Sequence, residues 1–358
     1  GFLQYGYKPD NIKRDDLSWE KNQMINAGID LQMFDGYIGF SVDYYNTNTS
    51  NMLLYVPVPL LTGYSTSLQN LGKVNNRGWE LALTSQHTFA NGFGYSFNAN
   101  YAKNTNEVKE LGPGNAPIIS SGSVAHAYYI TEVGKPIGNY YLLVQDGIFA
   151  TEEDLKKYPH FDNTEVGDFR FVDVDGDGKL DLDKDRTICG NYMPKFTYGF
   201  GGKLWYAGFD MDFNFQGVYG NKILNLNKRY LDNMEGNTNG TKIALDRWKS
   251  PENPGSGSVN KANRKQTGYN SRTSTWHLES GSYLRLQNLS LGYTLPRALT
   301  QKFKVEKMRV YVSGQNLFTI TNYSGYNPEV NARPSKNLTP GEDYGTYPLA
   351  RTYMFLSL

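Results

Sequence analysis

From Asn26 the chain alternates: Ala27, Ile29, Leu31 and Met33 are apolar, while Asn26, Gly28, Asp30 and Gln32 are polar or small. A period of two puts one set on each face of an extended strand, so one apolar and one polar face are expected. Asp35-Gly36 follows, two residues that accept positive φ, and the alternation resumes with Ile38, Phe40, Val42 and Tyr44 against Gly39, Ser41 and Asp43. This predicts a hairpin with a tight turn. The unit recurs. Trp79, Leu81 and Leu83 lead through Ala90-Asn91-Gly92 to Tyr95, Phe97, Ala99 and Tyr101; Phe196, Tyr198, Phe200, Gly202 and Leu204 lead through Ala207-Gly208 to Phe209, Met211, Phe213 and Phe215. A fourth pair joins residues 284–293 to 309–319 through a connection holding Pro296. There Leu284 and Leu286 are out of phase with Leu289, which predicts a bulge near Gln287. Arg351 opens a ninth strand.

Connection lengths alternate as well. Turns within hairpins are short, while residues 46–77, 103–193, 220–281 and 322–350 form long connections between them. Soluble sandwiches and propellers also alternate. Persistence of one phase over many strands, with short turns on one rim and long loops on the other, favours a transmembrane antiparallel β-barrel. The fold class is therefore all-β, with about ten residues per tilted span sufficing to cross a bilayer. Asp30, Asp43, Glu80, Asp210 and Asp212 fall on the polar face. On that face they line a wet lumen and are not read as paired catalytic acids.

Composition supports this picture and excludes others. Aromatics make up 14% of the 358 residues, with 28 Tyr and 18 Phe, yet mean hydropathy is −0.57; amphipathic rings on strands joined by polar loops account for both. A formal net charge of +1 without a basic stripe leaves no nucleic-acid footprint. The single cysteine, Cys189, rules out an internal disulfide framework, and His87, His126, His160 and His277 lack metal-ligand spacing and are expected on loops or polar surface. No apolar run is long enough for a transmembrane helix. The opening GFLQYGYKPDN is unlike a signal peptide, so the chain is expected to be mature or a fragment, and residues 1–22 to form a loop.

The strongest chemical signal lies inside the 103–193 connection. Asp173, Asp175 and Asp177 take the first, third and fifth places of an EF-hand-like loop, followed by Gly178 at the sharp turn, Lys179 offering a backbone carbonyl, and Asp181 at the ninth place. Lys184 stands where the bidentate acid belongs, so Asp183 or Asp185 would have to substitute. The expected ligand is a structural Ca²⁺ held by Asp173, Asp175, Asp177, Lys179, Asp181 and Asp185; the alternative is a solvated Asp-Gly turn. Thr151 followed by Glu152, Glu153 and Asp154 reads as an N-capped helical turn, and a second short helix is expected within 225–248. Tyr128, Tyr129, Tyr140, Tyr219 and Trp276 are the candidates for stacking on sugars or gripping peptides. A different class remains open on these residues: a calcium-stabilised extracellular β-rich adhesin or glycan-binding module. An enzyme would need a Ser/His/Asp-type constellation, which the scattered histidines do not supply.

The residues around the acidic loop narrow the field. DFRFVDVDGDGKLD at 168–181, then Asp185-Arg186, Gly190 and PKFTYGF at 194–200, resemble the SusC/RagA family of TonB-dependent outer-membrane transporters of the Bacteroidetes. Further matching pieces, in the family's order, are Leu17-Ser18-Trp19-Glu20, Asn75-Asn76-Arg77-Gly78-Trp79-Glu80, Gly147-Ile148-Phe149, Asp246-Arg247-Trp248, Gly292-Tyr293-Thr294-Leu295-Pro296, Asn316-Leu317-Phe318-Thr319 and Tyr347-Pro348 before Arg351-Thr352. The resemblance implies a plugged barrel of about 22 strands, of which this chain holds the C-terminal part. The N-terminal plug and energy-coupling box have no counterpart here, and a fragment of a longer transporter is expected. It further implies import of oligosaccharides or peptides with a SusD-like surface lipoprotein over the mouth. Energy would come from the inner-membrane TonB complex acting on the absent N-terminal region. Short turns would then be periplasmic and long loops extracellular, in outer-membrane lipid, with no covalent chemistry.

Overall fold

The computed structural model describes residues 12–64, 66–265 and 267–357. The opening loop through Asn11 and the final residue Leu358 therefore lie outside the described residues. Nine strands form one antiparallel sheet in chain order: β1 (Lys21–Met33), β2 (Ile38–Ser50), β3 (Lys73–Thr88), β4 (Gly94–Glu110), β5 (Phe196–Tyr206), β6 (Phe209–Tyr219), β7 (Tyr283–Thr294), β8 (Arg309–Thr321) and β9 (Thr352–Ser357). Each strand pairs with its sequence neighbours, as the hairpin pattern predicts.

Register shows why the alternation holds. Across seven strands the partners run Leu31, Phe40, Leu83, Ala99, Phe200, Phe215 and Leu286, all apolar. One residue along, the row reads Gln32, Gly39, Thr84, Asn98, Gly201, Asn214 and Asn288. A one-residue slip of any strand would put its whole apolar set on the polar face, so the pattern pins the register. The expected bulge is present: against β6, Gln287 is the extra residue, because Phe215 pairs Leu286 while Asn214 pairs Asn288. It returns Leu284 and Leu286 to the apolar face.

Two aromatic belts bound the apolar face. At the short-turn rim, Phe209 and Tyr293 pack with ring centroids 4.4 Å apart, beside Tyr206, Phe93, Phe89, Tyr95, His87 and Tyr37. At the long-loop rim, Phe196 stacks on Tyr219 at 4.9 Å and contacts Tyr101 and Tyr198, while Tyr44 meets Trp79. The ten residue steps from Phe196 to Tyr206, at the rise and tilt of a barrel strand, separate the belts by about 25 Å, the height of a lipid-facing band.

Strands β3 and β4 run well past the ten residues expected of a span. Beyond the upper belt polar residues such as Asn75, Arg77, Thr105 and Glu107 take over the outer face, while Val74 and Val108 on the other face pack with Leu54 and Ile118, so alternation ends while pairing continues. Asparagines carry it: Asn75 donates to Asn46 (2.6 Å) and Asn48 (2.9 Å), and Asn104 and Asn106 both donate to Asn76. Cross-strand amide bonds of this kind replace the apolar contacts that lipid would reward.

On the polar face, Arg309 of β8 crosses β7 above Gly292 and forms a two-point ion pair with Asp210 of β6 at 2.9 and 2.5 Å. A Cβ at Gly292 would meet that guanidinium, so a larger residue there would push Arg309 aside from this crossing.

The long connections fold together into a crown over one rim, instead of standing as independent polar loops. Ile118–Ser121, Tyr128–Thr131, Asn139–Leu143 and Arg186–Gly190 make a four-stranded sheet. Lys222–Asn225 pairs antiparallel with Leu278–Ser280 and parallel with Glu342–Asp343. One core joins Tyr129, Tyr140 and Leu142 to Leu224 and Leu226; another joins Leu143, Ile148, Phe161, Phe169 and Phe171 to Trp248, Tyr269 and Trp276. The predicted helical turn is Glu152–Lys157, with Thr151 and Asp154 forming a reciprocal capping box. The second short helix is Lys228–Leu231.

Candidate functional site

The acidic loop leaves the crown between Phe169–Phe171 and Arg186–Gly190. Carboxylate oxygens of Asp173, Asp175 and Asp177 lie within 4.8 Å of one another. Backbone amides shape the cluster: those of Gly176 and Gly178 donate to the two Asp173 oxygens at 2.7 and 2.9 Å, and that of Lys179 donates to Asp177 at 2.9 Å. Gly176 and Gly178 both take positive φ, which lets the amides turn inward. Asp181 accepts the amides of Asp183 and Lys184, which lower its carboxyl below the usual range. Asp185 stands apart in role. Its carboxylate is buried and accepts the amides of Val174 (2.7 Å) and Asp181 (2.6 Å), staking both ends of the loop. Lys184, where a bidentate acid would sit, comes within 3.8 Å of Asp177. Three converging carboxylate oxygens are the donor type that a divalent cation of the oxygen-binding class takes.

The candidate aromatics separate on inspection. Tyr129 and Tyr140 are fully buried: Tyr129 donates to Glu342 at 3.1 Å, and Tyr140 donates to the carbonyls of Lys222 and Gly341. Neither offers a face to a ligand, which corrects their assignment as stacking residues; a tyrosine inside a loop of this length is placed by the crown's core. Tyr128 is covered on one face by the Arg186 guanidinium, 3.9 Å from its ring. Trp276 packs on Phe169, carries Lys228 over its ring at 4.3 Å and donates to the Ser258 carbonyl. Tyr219 belongs to the upper aromatic belt. His277 also departs from expectation. It is fully buried, accepts the Ser274 amide at Nδ1, and burial pushes its imidazole down to about 3, so it stays neutral.

Two buried carboxylates that no sequence pattern marked weld the crown. Glu342 accepts the amide and hydroxyl of Ser123 and the hydroxyl of Tyr129. It thereby ties the 322–350 connection to the 103–193 connection, while its strand pairs with Leu224 of the third. Glu235 shares the Asn270 amide group with Asp168, at 2.9 and 2.8 Å, and Asn270 in turn accepts the Phe169 amide. Lys261 bonds Glu165 at 2.5 Å and lies 3.8 Å from Asp168.

Burial raises the Glu235 carboxyl above its ordinary value near 4.5, and Asp168 adds to the shift. The folded latch holds that proton more tightly than the unfolded chain does. Its contribution is full below about 4.5 and is lost as pH rises through the raised value. Hydrogen-exchange protection of residues 233–236 and 268–271 is expected to fall over that window in the native chain and to stay level in Glu235→Gln; equal falls in both would refute the latch.

Comparison with known proteins agrees with the geometry. The family described as TonB dependent receptor-like, beta-barrel, matches residues 2–317. TonB-dependent receptor P3 of Formosa agariphila is 34% identical over 355 residues, covering 96% of this chain and 34% of the relative. TonB-dependent receptor SusC of Bacteroides thetaiotaomicron is 27% identical over 346 residues, covering 95% of this chain and 32% of the relative. Among solved structures, that of the RagAB peptide transporter superposes with a TM-score of 0.77 at 26% identity, covering 96% of this chain and 36% of that one. The chain thus spans about a third of the length of these relatives. The two-faced sheet, the aromatic belts and these matches agree: the chain belongs to the TonB-dependent receptor-like β-barrel family of the outer membrane, among its SusC- and RagA-like members.

Proposed function

We propose that this chain is the C-terminal barrel portion of an outer-membrane importer that takes up oligosaccharides or peptides with a SusD-like surface lipoprotein. Energy would reach it from the inner-membrane TonB complex through a part of the protein outside this chain. The observation that carries the reading is the folded crown on one rim of a lipid-facing sheet. A partner that caps a mouth needs a rigid seat, and a crown with its own cores supplies one. The long-loop rim is then extracellular and the short turns periplasmic. Support comes from relatives named as TonB-dependent receptors and from the likeness to the structure of the RagAB peptide transporter. The test uses cells producing the full-length protein. Uptake of a labelled oligosaccharide or peptide library should stop when the proton-motive force is collapsed, and a surface lipoprotein should co-purify from solubilised membranes. Uptake that survives the collapse would overturn the energised import.

In this reading the Asp173, Asp175 and Asp177 cluster holds Ca²⁺, with Asp181 and the Lys179 carbonyl completing the set and Asp185 keeping the loop in shape. The ion would stiffen the crown and take part in no reaction step. Calorimetric titration of the intact protein with calcium is expected to give a saturable signal that Asp175→Ala abolishes. A flat titration of the native protein rules the clasp out.

A further inference from the structure

The connection between β7 and β8 differs from the other hairpin links. Residues 34–37, 89–93 and 207–208 turn directly, whereas residues 295–308 form two short helical turns, Arg297–Thr300 and Gln301–Phe303. The apolar side chains in its middle are uncovered: Phe303 is 78% exposed, and Leu299 and Val305 are exposed as well, while Leu295 and Met308 at its ends are half-buried. Arg297, Lys302 and Lys304 stand among them, also exposed, and no salt bridge among the described residues engages these three. Glu306 is the lone acid of the connection.

Exposed phenylalanine and leucine interleaved with free cations are costly in water and match one environment well. That environment is the boundary between acyl chains and phosphate-bearing headgroups. The location agrees. Phe209 and Tyr293, the lower aromatic belt, lie at the end of β7 from which this connection departs, and Val310 resumes the apolar face where β8 begins. The connection therefore continues a lipid-facing surface that is already in place. Stems of lysine and arginine can lie along the apolar boundary while their charges reach phosphate.

We propose that residues 297–305 form a membrane-interface anchor, in which Leu299, Phe303 and Val305 enter the acyl boundary of the adjoining leaflet. Arg297, Lys302 and Lys304 pair with lipid phosphates. The anchor fixes the depth and tilt of the β7–β8 hairpin, the strand pair that carries the bulge at Gln287 and the lumenal Arg309.

The test is site-directed spin labelling of the intact protein in vesicles of phosphatidylethanolamine and phosphatidylglycerol, in a background freed of native cysteines, Cys189→Ser among the changes. Labels enter through Phe303→Cys, Phe209→Cys for the lipid band and Asp35→Cys for a turn in water. At position 303 the ratio of collisions with oxygen to collisions with a water-soluble nickel complex should exceed that at position 35 several-fold. Adding Lys302→Gln and Lys304→Gln should lower it. A water-like ratio at 303 with a lipid-like ratio at 209 overturns the anchor and leaves the barrel intact; a water-like ratio at both would strike at the barrel itself. A lipid-like ratio at 303 that ignores the lysine changes overturns the phosphate pairing. Inorganic phosphate added to detergent-solubilised protein should leave the label's mobility unchanged, and a change would identify a free-phosphate site in place of a headgroup.

Discussion

Glu342→Ala is expected to loosen the crown by about 4 kcal/mol while leaving the barrel wall folded. The figure follows from the buried Tyr129 hydroxyl and the part-buried Ser123 amide and hydroxyl left without an acceptor, at about 1–3 kcal/mol each with the two Ser123 donors at the low end. Among the described residues no ion pair engages the carboxylate, so the loss is one of hydrogen bonding. Hydrogen exchange should rise across residues 118–131 and 222–226, and protease cleavage should appear in the 103–193 connection. Heat-modifiable migration of the barrel should stay unchanged. An unaltered exchange profile would mean that the parallel strand pairing, not the carboxylate, holds the three connections together.

Phe200→Arg is expected to cost about 4 kcal/mol in folding from urea into lipid vesicles. A guanidinium at the midplane of a barrel's outer face costs about 2–4 kcal/mol, and loss of the Phe200–Phe215 stack, with centroids 4.8 Å apart, adds about 1 kcal/mol. The neighbouring row supplies the control. Asn214→Arg, one row along on the polar face, should cost less than about 1 kcal/mol, because a lumenal charge stays in water. Equal costs at both positions would mean that the two faces are misassigned.

The sheet was legible in the sequence because a barrel wall obeys a local rule. Each residue's face is decided by its immediate environment, lipid or water, so Phe213 and Asn214 declare their sides without reference to distant residues. Even the bulge at Gln287 showed as a break in phase. The strand ends were less legible, since above the belt Asn46, Asn48, Asn75 and Asn76 put polar side chains on both faces, where they bond across strands, and the period vanishes although pairing goes on. The crown was legible only in its short-range features: the Asp173-to-Asp177 spacing and the Thr151 cap. Glu342, Glu235 and Asn270 are individually ordinary polar residues, and only the chain's return from far along the sequence buries them together. The same distance misled the reading of Tyr129 and Tyr140, whose surroundings come from Glu342, Lys222 and Gly341.

That distance also sets an order of assembly. Each hairpin of the wall closes over a short link, so the pairs β1–β2, β3–β4, β5–β6 and β7–β8 can each form as the chain meets the bilayer. The bond from Ser123 to Glu342 spans 219 positions, and closing a loop of that size is slow. Until residues 342–343 dock beside Leu224, the 103–193 and 220–281 connections have no third partner to hold them. The crown is therefore the last part to set. A polypeptide halted before residue 342 would carry its paired hairpins beneath an open, protease-sensitive mouth.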